Sequence, residues 1–237
     1  MVKPADFEIS SIQSTIFTPG LSFVSSKVLG FALETWGEKF DATPVSMPLP
    51  PDAPHEIPRI ILQSSDQRYK IELAPGRANL FWLRQTETDT INTGDFLDLS
   101  TDLLCGYAAS VNGKVGRIAA VLNRFFKEQN PGVFLVKHFC KDSWQVAPFD
   151  RPESFEIHAR KQYVLAGRFS VNSWVRCKTG FIKMPNVEKI ILVEQDINTL
   201  GEEMESKEFS IDQIKEFFNV VPSEFDSILS LYFPQEG

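Results

Sequence analysis

Apolar and polar residues alternate through 7–17 (FEISSIQSTIF), the period of a half-buried strand, and Thr18-Pro19-Gly20 stops the run. From 23 to 40 the period lengthens. Val24, Val28, Phe31, Ala32, Leu33, Trp36 and Phe40 recur at helical spacing, which predicts an amphipathic helix. Six prolines lie between 44 and 58: Pro44, Pro48, Pro50, Pro51, Pro54 and Pro58. They remove backbone donors and fix φ, so this stretch is expected to be a stiff, extended connector. Three short strands follow, over 59–64, 68–74 and 77–84, separated by the turn signals Ser65-Asp66-Gln67 and Pro75-Gly76. The next helix takes Thr93 as its N-cap, with Asp95 and Asp98 near its positive end. Phe96, Leu99, Leu103, Leu104, Tyr107 and Val111 form its apolar side, and Asn112-Gly113 ends it.

The second half runs in a similar order. Residues 115–126 read as a long strand, 154–165 and 168–179 as strands joined around Ala166-Gly167, and 187–197 as another strand. The segment 130–150 is ambiguous, because Val133 to Phe139 reads equally as a buried strand or the start of a helix. Ser210 and Gln213 make a capping box, with Phe209 and Ile214 as the hydrophobic staple. Ile211, Ile214, Phe217 and Phe218 continue as Phe225, Ile228, Leu229 and Tyr232, with a break or kink expected at Pro222 near Val221 and a restart at Ser223. The element order predicts an α+β fold of two similar β-α-β-β-β-α units, 1–112 and 113–237, in one compact body. Their antiparallel sheets are expected to be covered on one side by helices. This inference rests on element order, since sequence identity between the halves is not evident.

Composition narrows the class. With 237 residues, 43 % hydrophobic and 23 % charged, the chain is of the globular type rather than disordered, collagen-like or disulfide-rich. Cys105, Cys140 and Cys177 form no CxxC pair and fit a reducing compartment. The start, MVKPADFEIS, lacks a basic segment followed by an apolar run, and no stretch of 18 apolar residues occurs. A cytoplasmic, bacterial-type protein without a membrane span is therefore expected.

Chemical motifs are sparse. His138 and Cys140 in Lys137-His138-Phe139-Cys140 would share one face of a strand and could serve as a nucleophile pair or half of a soft metal site. The remaining nitrogen and sulfur donors, His55, His158, Cys105 and Cys177, complete no HxxxH, HExxH or CxxC pattern. A buried cysteine beside a hydrogen-bonded histidine accounts for the same spacing. Gly113-Lys114-Val115-Gly116 lacks the phosphate-loop spacing and reads as a helix end, no GxSxG is present, and Glu202-Glu203 sit in the polar run GEEMESKE. No catalytic residue, cofactor or metal ligand is assigned.

Charge is more informative. The chain carries −7, yet the window 159–187 holds six cations (Arg160, Lys161, Arg168, Arg176, Lys178 and Lys183) and no acid. On a strand, Arg168, Ser170, Asn172, Trp174, Arg176 and Lys178 share one side, while Phe169, Val171, Ser173, Val175 and Cys177 share the other. A three-residue loop at 166–168 keeps the apolar sides of both strands together. It places Arg160 opposite Trp174, His158 opposite Arg176 and Glu156 opposite Lys178. The first pair is expected to make a cation–π contact of about 0.5–1 kcal/mol. The expected function is therefore non-enzymatic binding or interaction, through a basic sheet face carrying Arg160, Arg168, Trp174, Arg176 and Lys178. A protein partner or self-association as a homodimer fits through charge complementarity. Two alternatives stand beside it: nucleic acid or another polyanion on the same face, and a Cys/His-dependent enzyme or metal site.

Two stretches carry a family resemblance. ILVEQDINTL (191–200), followed by FSIDQIKEFF and FDSILSLYF, and the hairpin PRIILQSSDQRYKIELAPGRANLFW (58–82) resemble a sporadically distributed family of uncharacterised bacterial proteins of about this length. Asp66, Trp82, Asp196 and Phe233 sit at comparable places, whereas Leu83 and Arg84 depart from the aromatic-basic pair expected after the hairpin. The resemblance implies no activity, cofactor or catalytic residue.

Overall fold

The computed structural model describes residues 2–50, 52–183 and 186–234. Pro51 of the proline-rich connector lies outside them. The elements in chain order are β1 (Glu8–Phe17), α1 (Ser25–Trp36), β2 (Val45–Ser46), β3 (Ile60–Gln63), β4 (Tyr69–Ala74), β5 (Arg77–Leu83) and α2 (Thr93–Ser110). They continue as β6 (Arg117–Lys127), α3 (Pro131–Phe139), α4 (Asp142–Val146), β7 (Glu156–Leu165), β8 (Phe169–Lys183), β9 (Val187–Thr199) and α5 (Ile211–Tyr232).

The strands form one nine-stranded antiparallel sheet in the order β2-β3-β4-β5-β1-β6-β9-β8-β7. Where two sheets were expected from the sequence, β1 pairs with β6 and joins everything into a single one. Alternation sets its faces. Ile12 lies opposite Trp82 and Leu122, Ser14 opposite Leu80 and Ala120, and Ile16 opposite Ala78 and Ile118, all buried. The same face continues through Val193 and Ile197 to Val171, Val175 and Cys177. Val28, Ala32 and Trp36 of α1, Phe96, Leu104 and Tyr107 of α2, and Phe217, Phe218 and Phe225 of α5 belong to the same core. Each such valine, leucine or phenylalanine contributes roughly 1.5–3 kcal/mol when fully buried. The other face of the sheet is polar, with Gln13, Thr15, Asn79, Asn123, Asn172 and Asn198 turned away from the helices.

The hairpins follow their turn chemistry. Gln67 takes φ 60 between β3 and β4, and Ala166 and Gly167 take φ 50 and 66 between β7 and β8. Four local expectations are corrected. The N-cap of α2 is Asn92, not Thr93: its side-chain oxygen accepts from Gly94 N at 2.7 Å and Asp95 N at 3.2 Å. The proline-rich segment includes a strand, β2, whose two residues pair with β3. The ambiguous 130–150 stretch forms two helices, so His138 and Cys140 are not on a strand: His138 is in α3 and Cys140 caps it. Finally, α5 runs unbroken through Pro222. Buried Val221 and Phe225 flank the proline, and the Ser223 hydroxyl donates to the Val220 carbonyl at 2.9 Å in the turn that lacks a proline donor. The capping box at Ser210 and Gln213 forms as expected.

Arg124 carries its charge into the layer between sheet and helix. Arg124, on the helix-facing side of β6, donates to Gln195 Oε1 at 2.6 Å, to the Phe225 carbonyl and to the Asp226 carboxylate. Burial lowers the guanidinium pKa, and the Asp226 charge opposes that shift. Gln195 also donates to the Phe225 carbonyl at 2.8 Å, so the buried polar groups satisfy one another between sheet and helix.

Candidate functional site

The basic segment forms β7 and β8 in the register that its alternation predicts. Arg160 pairs with Trp174, His158 with Arg176 and Glu156 with Lys178. All six side chains belong to the face opposite Val171, Val175 and Cys177, which no described helix covers. The Arg160 guanidinium lies 5.2 Å from the centre of the Trp174 ring, and the His158 ring lies 4.8 Å from it at a tilt of 31°. The indole is thus held between a cation and an imidazole, and it stays partly exposed.

An amide chain supports this stack. Asn172 Oδ1 accepts from Arg160 Nε at 3.0 Å, Arg160 Nη2 at 2.5 Å and Gln162 Nε2 at 2.9 Å. Asn172 Nδ2 donates to Asn198 Oδ1, which also accepts from Arg117 Nη2 at 2.8 Å. Asn198 Nδ2 in turn donates to Asp196 Oδ1 at 2.9 Å. Burial pushes the Asp196 carboxyl above its ordinary pKa, opposed by the Asn198 hydrogen bond and the Arg117 charge. Asn172 and Asn198 are nearly inaccessible, at 6 % and 2 %, although no helix covers them.

Strand β9 changes the charge picture. It sets Glu194 beside Arg176 and Asp196 beside Trp174. Arg176 is consequently paired on both sides, with Glu156 at 2.9 Å and Glu194 at 3.4 Å. Arg168 sits in the β7–β8 turn and bonds Glu216 of α5, which draws it to the helix side and away from the other four. Arg160, Trp174, Arg176 and Lys178 therefore share one face, and that face carries charges of both signs. Glu194, Asp196 and Asn198 were missed in the sequence. Their signal is the alternation of VEQDIN, with Val193, Gln195 and Ile197 turned to the core.

His138 is packed among aromatic rings, and Cys105 and Cys177 are buried, while Cys140 is half-buried. The His138 ring stacks on Phe233 at 4.8 Å and on Phe134 at 5.9 Å. Its Nε2 lies 2.6 Å from the Tyr232 carbonyl, an acceptor, so His138 donates there. Burial pushes the thiols of Cys105 and Cys177 up to about 11 and about 12, well away from a reactive thiolate. Among the described residues, no three His, Cys, Asp or Glu side chains are grouped to hold a metal ion. A cleft of about 660 Å³ opens between Pro131 and Gly132 of α3, the 150–154 segment, and Phe181 and Lys189. No helix among the described residues is long and apolar enough to cross a membrane.

No protein-family model matches the chain, and no curated protein matches it.

Proposed function

We propose that this chain is a non-enzymatic interaction protein that docks a protein partner, a second copy of itself first among them, on the open face of β7, β8 and β9. The observation that carries this reading is Trp174, held partly exposed between Arg160 and His158. Tryptophan and arginine are the residues that most often dominate binding at protein interfaces. The surrounding ring of Arg176, Glu194, Lys178 and Glu156 carries both signs, which suits a protein surface with its own mixture of charges. The same carboxylates, with Asp196 beside the indole, repel phosphates, so nucleic acid is the weaker reading.

The proposal includes a pairing of the two halves, 1–112 and 113–237, as similar units. Strand order supports it. On one side of the β1–β6 junction lie β5, β4 and β3, and on the other lie β9, β8 and β7, so each half ends with its last strand beside its first. A reducing, cytoplasmic setting fits three free cysteines, two of them buried. Membership of the uncharacterised bacterial family belongs to the same proposal and adds no activity to it.

Sedimentation velocity over a range of salt and protein concentrations tests the reading. Association that weakens with salt and is lost in Trp174→Ala supports it. A monomer at every concentration that binds a labelled single-stranded oligonucleotide, with loss in Arg160→Ala, overturns it in favour of the polyanion.

A further inference from the structure

Strand β7 closes the sheet order, with β8 as its only strand neighbour among the described residues. Its outer edge runs for ten residues, and no described backbone group bonds to it. Sheets usually shorten, bulge or cover such an edge, because its free N–H and C=O groups are a template for another strand. The flank of this edge on the helix side is also uncovered. Ala159 and Lys161 face the helix layer yet are exposed, and Leu231 of α5 is 71 % exposed. Between them lies a cleft of about 110 Å³, floored by Ser173, Val175 and Ile228. Farther along, the Tyr163 hydroxyl donates to Glu224 of α5 at 2.5 Å, so the helix is tied to the strand there and leaves a shelf beyond the tie.

Charge identifies the occupant. Among the described residues Arg160 and Lys161 have no carboxylate partner, whereas Arg124 and Arg168 each have one and Arg176 has two. A second copy of β7 is a poor match, because antiparallel self-pairing centred here sets Arg160 and Lys161 of two chains against each other. We propose that the outer edge of β7 accepts an extended acidic peptide segment as a tenth strand, with a carboxylate opposite Arg160 and an apolar side chain on the Leu231 shelf. Main-chain bonds supply the affinity in this mode, and the alternating side chains supply the choice of sequence. The overall charge of −7 opposes an acidic ligand at long range, so the segment must be short, with few acids. This surface is the strand edge and its helix-side shelf, separate from the open sheet face proposed above apart from the shared Arg160.

The probe is a fluorescein-labelled octapeptide, Ser-Glu-Leu-Glu-Val-Glu-Leu-Ser, followed by fluorescence anisotropy with full-length protein. A lysine-for-glutamate peptide and a peptide N-methylated at alternate residues are the controls. Binding of the acidic peptide is expected, weakened on the order of tenfold by Arg160→Ala and by Leu231→Asp. Both controls are expected to bind far more weakly, and amide exchange is expected to slow along 157–163. Leu231 is at the surface, so its variant tests the shelf without disturbing the core. Arg176→Ala should leave peptide binding unchanged while weakening the sheet-face association, which separates the two surfaces. Equal binding of the lysine or N-methylated peptide, protection confined to β8 and β9, a dimer closed through β7, or no binding at all would each overturn the proposal.

Discussion

The two edges of the sheet are built differently. At one end, the four residues of β3 are capped by the two residues of β2, and the segment that follows carries prolines with no N–H to offer. Arg59 reaches into that segment and donates to the Ala53 carbonyl at 3.1 Å, and the Gly76 N–H bonds the His55 carbonyl at 2.9 Å. At the other end, β7 presents ten residues with no described strand laid along their outer edge. One edge is thus protected by chain that has spent its donors, and the other only by its cations. A fold that guards one border and leaves the other bare concentrates the possibilities for contact at the bare one.

The sharpest way to break this comparison is to contrast centre with border. Ile12→Ala, in the middle of the sheet, is expected to cost about 2–5 kcal/mol in urea denaturation. Val164→Lys, on the bare edge, should stay within about 0.5 kcal/mol of the parent and reduce light scattering on heating, since lysine blunts strand edges. Unchanged scattering would show that β7 is not the route to aggregation. Arg124→Ala is expected to cost about 1–3 kcal/mol, because Gln195 Oε1 loses its donor in a buried layer and the Phe225 carbonyl keeps only the Gln195 amide. Ser210→Ala should cost about 1 kcal/mol by uncapping α5.

The smallest effect concerns pH. Burial raises the Asp196 pKa above its unfolded value, so the folded state binds this proton more tightly. Its ionised form is therefore a destabilising element, present in full above the folded pKa and relieved as pH falls through it. Asp196→Asn is expected to raise the thermal midpoint at neutral pH, with the advantage shrinking towards acid. A midpoint lowered at neutral pH, with the loss shrinking towards acid, would show that the Asn198 and Arg117 contacts outweigh burial.

Legibility followed locality. The β7–β8 register could be read because a short turn and two alternating runs allow only one pairing that keeps Val171, Val175 and Cys177 on the core side. The α5 start could be read because Ser210 and Gln213 lie three residues apart. By contrast, Val133 to Phe139 has the same apolar content in a helix as in a buried strand, although Pro131 at the first turn was a helical signal. Pro222 misled because propensity reads one helix alone, while Val221 and Phe225 are held by the core. The candidate site was half legible. Trp174 and Arg160 were placed by their own hairpin, but the neutralising Glu194 and Asp196 arrive from the next strand. Arg168 was lost to Glu216, a residue 48 positions away.

The pairing of β1 with β6 has a bearing on birth of the chain. Residues near position 8 must wait for partners near position 125. At ordinary synthesis rates, that interval is on the order of 5–20 s. Within it, β5 becomes available to one side of β1 well before β6 can reach the other. The middle of the finished molecule is thus, for those seconds, a raw border on the ribosome, and it is sealed only when the second half arrives.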